Sequence, residues 1–183
     1  MSDSEFKEFE HKYLVDESAN IAVIFDRLRA LGGGKEKSLE VIDTYYFSSM
    51  NPGFVYRHRK DREIQQLTVK SYGGDTRDRT EINLHLINDE SQADAIKVFM
   101  QTLGSYQNYE IRKNIQVIDF PDCECVYYSA TLGDKTIQCF EFEALGAKSL
   151  ETALVTINRY ESVAGFNPVN RCEISLFELL KHK

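Results

Sequence analysis

Polar and apolar residues alternate along several stretches of the chain, as they do in β-strands with one polar and one apolar face. The first stretch lies near the N-terminus, where Glu8, Glu10 and Lys12 share one face and Phe9 lies on the other. The same alternation predicts strands at residues 39–47, 54–60, 65–72, 77–86, 109–118, 124–131 and 136–145. The pattern therefore predicts about eight strands, several of which repeat charged residues on their polar face.

Apolar residues at three- and four-residue spacing predict helices before, between and after these strands. Asp16 is a candidate cap for the first helix, and the glycines at 32–34 end it. Further helices are predicted at 89–103, from about 148 onward, and around Ile174, Phe177 and Leu180. We expect an α+β protein in which residues 1–183 form one domain.

Antiparallel strands that each have one polar and one apolar face can form a barrel, which separates the two faces into an inner and an outer surface. Helices then cover the apolar outer surface, and the polar faces line the lumen. On strand 109–118 the alternation assigns Arg112 to the polar face and leaves Lys113 as an exception on the apolar face. The predicted lumen contains the cations Lys12, Arg57, Arg59, Lys70, Arg77, Arg79 and Arg112 and the anions Glu8, Glu10, Glu81, Glu141 and Glu143.

Composition limits the classes of function. A net charge of −7 argues against a general nucleic-acid binder, which usually has a basic surface. The four cysteines and four histidines have no metal-ligand spacing, so we expect reduced, structural thiols. No apolar run has the length of a membrane span and no signal sequence is evident, so we expect a cytoplasmic protein that binds neither membrane nor nucleic acid.

The charged lumen suggests a specific class of ligand. Buried charges without partners cost several kcal/mol each, so a ligand is needed to complete the charge balance. Arginine and lysine match phosphate oxygens, and clustered carboxylates hold Mg²⁺ or Mn²⁺. A polyphosphate with a divalent metal ion would pair with both the basic residues and the carboxylates of the predicted lumen. A charged face in contact with solvent is the alternative, but it gives no reason to repeat Glu-x-Glu and Arg-x-Arg on separate strands.

The charged groups follow one another in a defined order. They are Glu8-Phe9-Glu10-His11-Lys12, an ExExK stretch, then Arg57-x-Arg59, Lys70, Arg79-x-Glu81 and Glu141-x-Glu143. In this order they resemble the CYTH, or triphosphate tunnel metalloenzyme, superfamily. The segments 43–46 and 175–180 also look like segments of that family, so the resemblance covers essentially the whole chain.

The resemblance implies an eight-stranded antiparallel tunnel that binds a triphosphate with Mg²⁺ or Mn²⁺. It assigns the metal to Glu8, Glu10, Glu141 and Glu143, with Glu81 as a further acidic member. It assigns the phosphates to Lys12, Arg57, Arg59, Lys70 and Arg79, to which the alternation adds Arg112. The four metal glutamates and Lys12 are then the candidate catalytic residues.

Three positions depart from the family pattern. Asn83 stands where a third acidic residue often follows Arg-x-Glu. Arg112-x-Asn114 stands where Lys-x-Arg is common, with Lys113 as a substitute if the register differs. An aspartate that often precedes the last Glu-x-Glu strand is not evident at 127–130.

Three functions are compatible with this set. The leading hypothesis is a metal-dependent hydrolase of inorganic triphosphate, thiamine triphosphate or nucleoside triphosphates such as ATP. The second is a class IV adenylyl cyclase, which converts ATP to cyclic AMP and pyrophosphate. The third is a polyphosphate-binding module without catalysis, which the Asn83 departure keeps open. The motifs do not separate these alternatives.

Overall fold

The structure is a computed structural model that describes residues 6–72 and 79–181, without the side chains of 106 and 107. Its strands are β1 (Lys7–Glu8), β2 (Glu10–Leu14), β3 (Lys35–Ser48), β4 (Phe54–Lys60), β5 (Gln65–Ser71), β6 (Arg79–Leu86), β7 (Ser105–Asp119), β8 (Cys123–Leu132) and β9 (Lys135–Ala144). Its α-helices are α1 (Ile21–Arg29), α2 (Glu90–Thr102), α3 (Leu150–Ala164) and α4 (Leu176–Lys181). Arg77, which we expected in the lumen, lies outside the described residues.

The strands form one antiparallel sheet that curls into a nearly closed barrel, as predicted. Its order is β1-β6-β5-β4-β3-β7-β8-β9-β2, so nine strands replace the predicted eight. The extra strand arises because the N-terminal strand divides at Phe9: β1 pairs with β6, whereas β2 pairs with β9. The carbonyl of Phe9 accepts a hydrogen bond from the amide of Ala144 at 3.0 Å. The N-terminal stretch therefore joins the two edges of the sheet.

Helices α1, α2 and α3 cover the outside of the barrel. The outward residues Phe9, Tyr13 and Phe142 share one core with α1 and α3, in which Leu28 and Ile157 are fully buried. A smaller core joins α2 to the barrel wall. The apolar faces of these strands thus find helical partners, which is the arrangement that the alternation predicts.

The C-terminal helix α4 does not join this outer layer. Leu176, Phe177 and Leu180 are buried against lumen-facing residues such as Val41 and Ile115. A capping box begins the helix: Ser175 Oγ accepts from the Glu178 amide at 3.3 Å, and Glu178 Oε2 accepts from the Ser175 amide at 3.2 Å. Helices flank the barrel as predicted, but polar residues line only part of the lumen, because another part is apolar and packs on α4.

In the described part of the chain, no helix has both the length and the apolar character needed to cross a lipid bilayer.

Candidate functional site

The lumen of the barrel holds a cavity of about 550 Å³ whose wall is strongly charged. All of the predicted site residues that the structure describes line this cavity, except Arg112. They are Glu8, Glu10, Lys12, Arg57, Arg59, Lys70, Arg79, Glu81, Glu141 and Glu143. Strands β1, β2, β4, β5, β6 and β9 supply them. The alternation on these strands thus assigned their inward faces correctly.

The strand register places acidic residues next to basic residues across the wall. Lys70 of β5 is the partner of Glu81 on β6, and Glu8 of β1 is the partner of Arg79. On the other side of the N-terminal strand, Lys12 of β2 is the partner of Glu141 on β9. Side chains directly opposite each other lie close enough to interact, so the register itself builds a network of opposite charges.

A basic wall occupies strands β4, β5 and β7, where Arg57, Arg59, Lys70 and Lys113 face the cavity. Arg59 donates two hydrogen bonds to the carboxylate of Asp43, from Nε at 2.7 Å and from Nη2 at 2.8 Å. The ammonium of Lys113 lies 2.7 Å from the same carboxylate. Burial alone would raise the pKa of Asp43, but Arg59 and Lys113 hold that pKa well below its usual range.

Asp43 was not among the predicted site residues. Its fully buried carboxylate orients two cations toward the cavity. The alternation in β3 could have indicated it, because Asp43 shares a face with Val41 and Tyr45, both of which line the lumen.

The prediction that Arg112 lies in the lumen is wrong. Arg112 faces solvent, where its Nη2 bonds Glu110 Oε1 at 2.6 Å. The inward face of β7 consists instead of Ile111, Lys113, Ile115 and Val117. The reason is packing: this side of the lumen meets α4, so apolar residues point inward and Lys113 among them reaches the charged region. Lys113, the residue expected to substitute for Arg112 if the register differed, therefore lines the cavity.

The carboxylates of β1, β2 and β6 are engaged by the same cations that would bind phosphate. Lys70 Nζ lies 2.8 Å from Glu8 Oε1 and also contacts Glu81. Arg79 Nη2 lies 3.1 Å from Glu8 Oε2 and contacts Glu10 as well. Burial opposes ionisation of Glu8, but Lys70 and Arg79 outweigh it, so the pKa of Glu8 is lowered.

The two glutamates of β9 differ in their surroundings. Lys12 Nζ lies 3.4 Å from Glu141 Oε1, and although burial opposes ionisation, Lys12 and Lys113 lower the pKa of Glu141. Glu143 forms no ion pair with any residue that the structure describes. Burial, together with the nearby carboxylates of Glu8 and Glu10, raises the pKa of Glu143 well above its usual value. Burial and the neighbouring carboxylates therefore disfavour the ionised form of Glu143.

Tyr128 is a second residue that the sequence did not single out. Its hydroxyl donates a hydrogen bond of 2.7 Å to Glu141 Oε1, and the ammonium of Lys113 lies 5.3 Å from the centre of its ring. Tyr128 falls within 127–130, the segment that lacks the aspartate common in the family. Here a hydroxyl, rather than a carboxylate, faces Glu141 at this level of the lumen.

Several buried polar atoms of the site lack hydrogen-bond partners. Among the described residues, they include Arg57 Nε and Arg79 Nε, whereas the carboxylate oxygens Glu8 Oε2 and Glu81 Oε2 are held by ion pairs. Buried donors and acceptors without partners cost about 1–3 kcal/mol each, and more when charged. Two of these atoms are arginine donors that face a cavity, which is the arrangement expected of an oxyanion site.

The donor set fits a hard divalent cation, although the metal ligands are not preassembled. Within residues 6–72 and 79–181, no group of three aspartate, glutamate, histidine or cysteine side chains stands ready to hold a metal. Lysines and arginines separate the carboxylates instead. Carboxylate oxygens suit Mg²⁺ or Mn²⁺, and Glu143, which has no ion pair with a described residue, lies near Glu8 and Glu10, where a cation would relieve repulsion.

No family model matches the chain, and no curated protein matches it in sequence. Solved structures do match. The PH1012 protein of Pyrococcus horikoshii OT3 is 18% identical with a TM-score of 0.72, covering 95% of this chain and 99% of its own. An adenylate cyclase candidate from Vibrio parahaemolyticus is 16% identical with a TM-score of 0.69, covering 96% and 98%. The Hippeastrum protein HpAC1, an adenylyl cyclase candidate with a dominant triphosphatase activity, is 12% identical with a TM-score of 0.60, covering 96% and 94%. At these identities the likeness is one of fold, and the fold is the CYTH-type tunnel.

Proposed function

We propose that this protein is a metal-dependent triphosphatase that binds its substrate inside the barrel. The observation that carries the proposal is one cavity in which Arg57, Arg59, Lys70, Arg79 and Lys113 face the carboxylates of the N-terminal strand and β9. A substrate with several adjacent phosphates can contact several of these buried cations at once, whereas a single carboxylate or phosphate could contact only a few of them.

The chain's own residues bind and orient the phosphates. The guanidinium of Arg59 is held by Asp43, and Lys113 approaches the same carboxylate from the neighbouring strand β7. The Nε atoms of Arg57 and Arg79 are free to donate to phosphate oxygens. Because these groups are positioned before substrate arrives, they can stabilise developing negative charge without reorganising during the reaction.

The carboxylates provide the place for the metal. Glu8, Glu10, Glu141 and Glu143 would hold Mg²⁺ or Mn²⁺, with Glu81 at the edge of the group. When bound, the metal ion supplies charge neutralisation and polarises a phosphoryl oxygen. Tyr128 fixes one oxygen of Glu141 by its hydrogen bond, which leaves the other carboxylate oxygen available.

Hydrolysis then requires attack by water at the terminal phosphorus. The oxygen of water forms the new bond to phosphorus while the bond to the bridging oxygen breaks. Inorganic triphosphate yields orthophosphate and pyrophosphate, and the lysines and arginines offset the charge that gathers on the leaving oxygens.

Cyclisation of ATP is the second candidate, since the fold is shared with adenylate cyclase candidates such as that of Vibrio parahaemolyticus. In that reaction the ribose 3′-hydroxyl attacks the α-phosphorus, and pyrophosphate leaves. The triphosphate would lie in the same charged lumen, so the products distinguish the two reactions. Hydrolysis gives orthophosphate, and cyclisation gives cyclic AMP.

A product assay tests the proposal. Purified protein with Mg²⁺ or Mn²⁺ is given inorganic triphosphate, thiamine triphosphate or ATP, and orthophosphate, pyrophosphate and cyclic AMP are measured. We expect orthophosphate from at least one substrate, and a loss of about 100-fold or more in Glu8→Ala and Glu141→Ala. Glu110→Ala is the matched control, because Glu110 lies outside the barrel with Arg112. Binding without any product would leave only a non-catalytic module.

A further inference from the structure

In the unliganded lumen, the groups assigned to phosphate and the groups assigned to metal neutralise each other. Lys70 is paired with Glu8 at 2.8 Å and also contacts Glu81. Arg79 is paired with Glu8 at 3.1 Å and also contacts Glu10. Among the described residues, Lys12 also pairs with Glu141 at 3.4 Å and with Glu10 at 4.0 Å, and Arg57 pairs with Glu81 at 3.4 Å. Each ligand would thus have to take its binding groups from the other ligand's site.

These ion pairs are buried. The side chains of Glu8, Lys70 and Arg79 have relative exposures of 7%, 11% and 13%. When one partner leaves a buried pair, the other is left as an uncompensated charge, which is strongly unfavourable. A metal ion that takes Glu8 would leave Lys70 with Glu81 alone and Arg79 with Glu10 alone. A triphosphate that takes Lys70 would leave Glu8 with Arg79 alone and Glu81 with Arg57 alone.

Binding of both ligands avoids either penalty. The triphosphate then pairs with the lysines and arginines while the metal pairs with the glutamates, so no charge in the lumen is stranded. The absence of a preassembled group of three metal ligands within 6–72 and 79–181 agrees with this, because the glutamates are separated by the cations that hold them.

We propose that the tunnel takes up a polyphosphate and a divalent cation together, each ligand releasing from internal ion pairs the residues that the other requires. The proposal rests on the proposed function of the same site. It adds that the protein binds the metal ion and the triphosphate together more tightly than it binds either one alone. Coupling energies between sites usually correspond to about 5–150-fold in affinity, and this network of shared partners places the expected coupling at about tenfold or more.

One lumenal lysine lies outside the shared network and provides the control. Lys113 is paired with Asp43, which Arg59 also holds by two hydrogen bonds. Its removal therefore frees no metal ligand. Lys70, by contrast, holds Glu8 and Glu81. Both lysines line the same cavity, so Lys70→Gln and Lys113→Gln remove the same charge from different partners.

The first experiment measures Mn²⁺ affinity of the protein without phosphate, using electron paramagnetic resonance of free Mn²⁺. We expect Lys70→Gln to bind Mn²⁺ at least about fivefold more tightly than wild type, because its glutamates are released. Lys113→Gln should show a smaller rise than Lys70→Gln, because Lys113 is paired with Asp43 and not with a metal ligand. Arg79→Gln, which frees Glu8 and Glu10, is the second releasing variant and serves if Lys70→Gln does not fold by circular dichroism.

The second experiment titrates wild type with imidotriphosphate, a triphosphate analogue with bridging nitrogens, in EDTA and again with saturating Mn²⁺. The proposal predicts binding about tenfold or more tighter with Mn²⁺. Equal affinity in the two conditions, or the same rise in Mn²⁺ affinity in Lys70→Gln and Lys113→Gln, would overturn it. If inorganic triphosphate is still hydrolysed in that case, the proposed function stands without the coupling. If no triphosphate binds in either condition, both fail.

Discussion

At the scale of single residues, Tyr128 is the most informative side chain of the lumen, because it holds Glu141 through a 2.7 Å hydrogen bond. Tyr128→Phe removes only this hydroxyl. Hydrogen bonds to charged groups are worth about 1.5–3 kcal/mol, so we expect kcat/KM for triphosphate to fall by about tenfold or more. Steady-state kinetics would measure the change.

The control for this variant is Tyr127→Phe. The hydroxyl of Tyr127 donates to Gln138 at 3.0 Å on the outer side of the wall, so its loss should leave kcat/KM within about twofold. Restoration of activity by raising Mn²⁺ in Tyr128→Phe would show that the hydroxyl positions a metal ligand. Equal losses in both variants would contradict a specific role for Tyr128.

Neighbouring residues on β7 give a second test at this scale. Lys113 faces the cavity with Asp43, whereas Arg112 lies in solvent with Glu110. We expect Lys113→Ala to lower triphosphate affinity by about tenfold or more, since a buried charged contact is lost, and Arg112→Ala to change it by less than about twofold. Titration calorimetry would compare the two. A larger loss in Arg112→Ala would mean that the phase of β7 is wrong.

The inward charges of most strands could be predicted because their alternation is unbroken, as in Arg57-x-Arg59 and Glu141-x-Glu143. On β7 the same reasoning failed. Ile111, Ile115 and Val117 alternate with Arg112, so placing apolar faces on the outer surface would turn them outward. In the structure they pack inside against the C-terminal helix. Which face of a strand is buried depends on what covers it, and one strand does not contain that information.

At the scale of elements, the buried carboxylate of Glu161 links the connection between α3 and α4 to strand β2. Glu161 of α3 accepts from Arg171 Nη2 at 2.6 Å and lies 2.8 Å from His11 Nδ1. Arg171 in turn bridges to the edge of β2 at Tyr13. These contacts hold the chain where it passes from the outside of the barrel to α4, which packs in the lumen.

The stability of Glu161→Gln at different pH values tests whether the charge of this carboxylate holds the connection in place. Burial opposes ionisation, but His11 and Arg171 lower the pKa of Glu161, so its carboxylate stabilises the fold above the unfolded pKa of ~4.3. We expect the variant to lose about 3 kcal/mol of unfolding free energy at pH 7, with the deficit shrinking as pH falls below ~4 toward the folded pKa. Urea denaturation at several pH values measures it.

The control is Glu151→Gln in the first turn of the same helix, where the side chain is exposed. Its stability should follow that of wild type within about 0.5 kcal/mol at each pH. A deficit in Glu161→Gln that does not change with pH would show that the carboxylate's charge is not what fastens the connection.

Helix α4 supports the lumen through one aromatic residue. The ring of Phe177 lies 4.7 Å from those of Phe47 and Tyr109, and 6.2 Å from that of Tyr45. We expect Phe177→Ala to lower the unfolding free energy by about 3–5 kcal/mol, as for other buried phenylalanines. Phe99→Ala on α2, where the ring is 53% exposed, should cost less than about 1 kcal/mol. Equal effects in denaturation experiments would contradict the inward position of α4.

Helical periodicity predicted all four α-helices, because apolar spacing is a local feature. The cap of the first helix was predicted wrongly: Asn20, rather than Asp16, accepts from the first turn. The side of the sheet on which a helix lies is not local. The stripe of Leu176, Phe177 and Leu180 indicates a buried face, but it does not distinguish the outside of a barrel from its lumen. The division of the N-terminal strand at Phe9 is likewise a consequence of barrel closure.

At the scale of the whole molecule, barrel closure brings buried charges of both signs together in the lumen of a chain with a net charge of −7. The N-terminal strand contributes to both edges of the sheet and brings Glu8, Glu10 and Lys12 beside β6 and β9. Residues that are far apart in sequence, such as Glu10 and Glu143, thus become register partners. The fold, rather than overall charge, creates the polyphosphate site that we propose.

The most direct test of the central claim is a ³¹P nuclear magnetic resonance time course of inorganic triphosphate with the purified protein and Mg²⁺ or Mn²⁺. The account predicts that triphosphate disappears while orthophosphate and pyrophosphate appear in equal amounts, and that EDTA stops the reaction. If triphosphate, thiamine triphosphate and ATP all remain intact with either metal, the protein is not a triphosphatase.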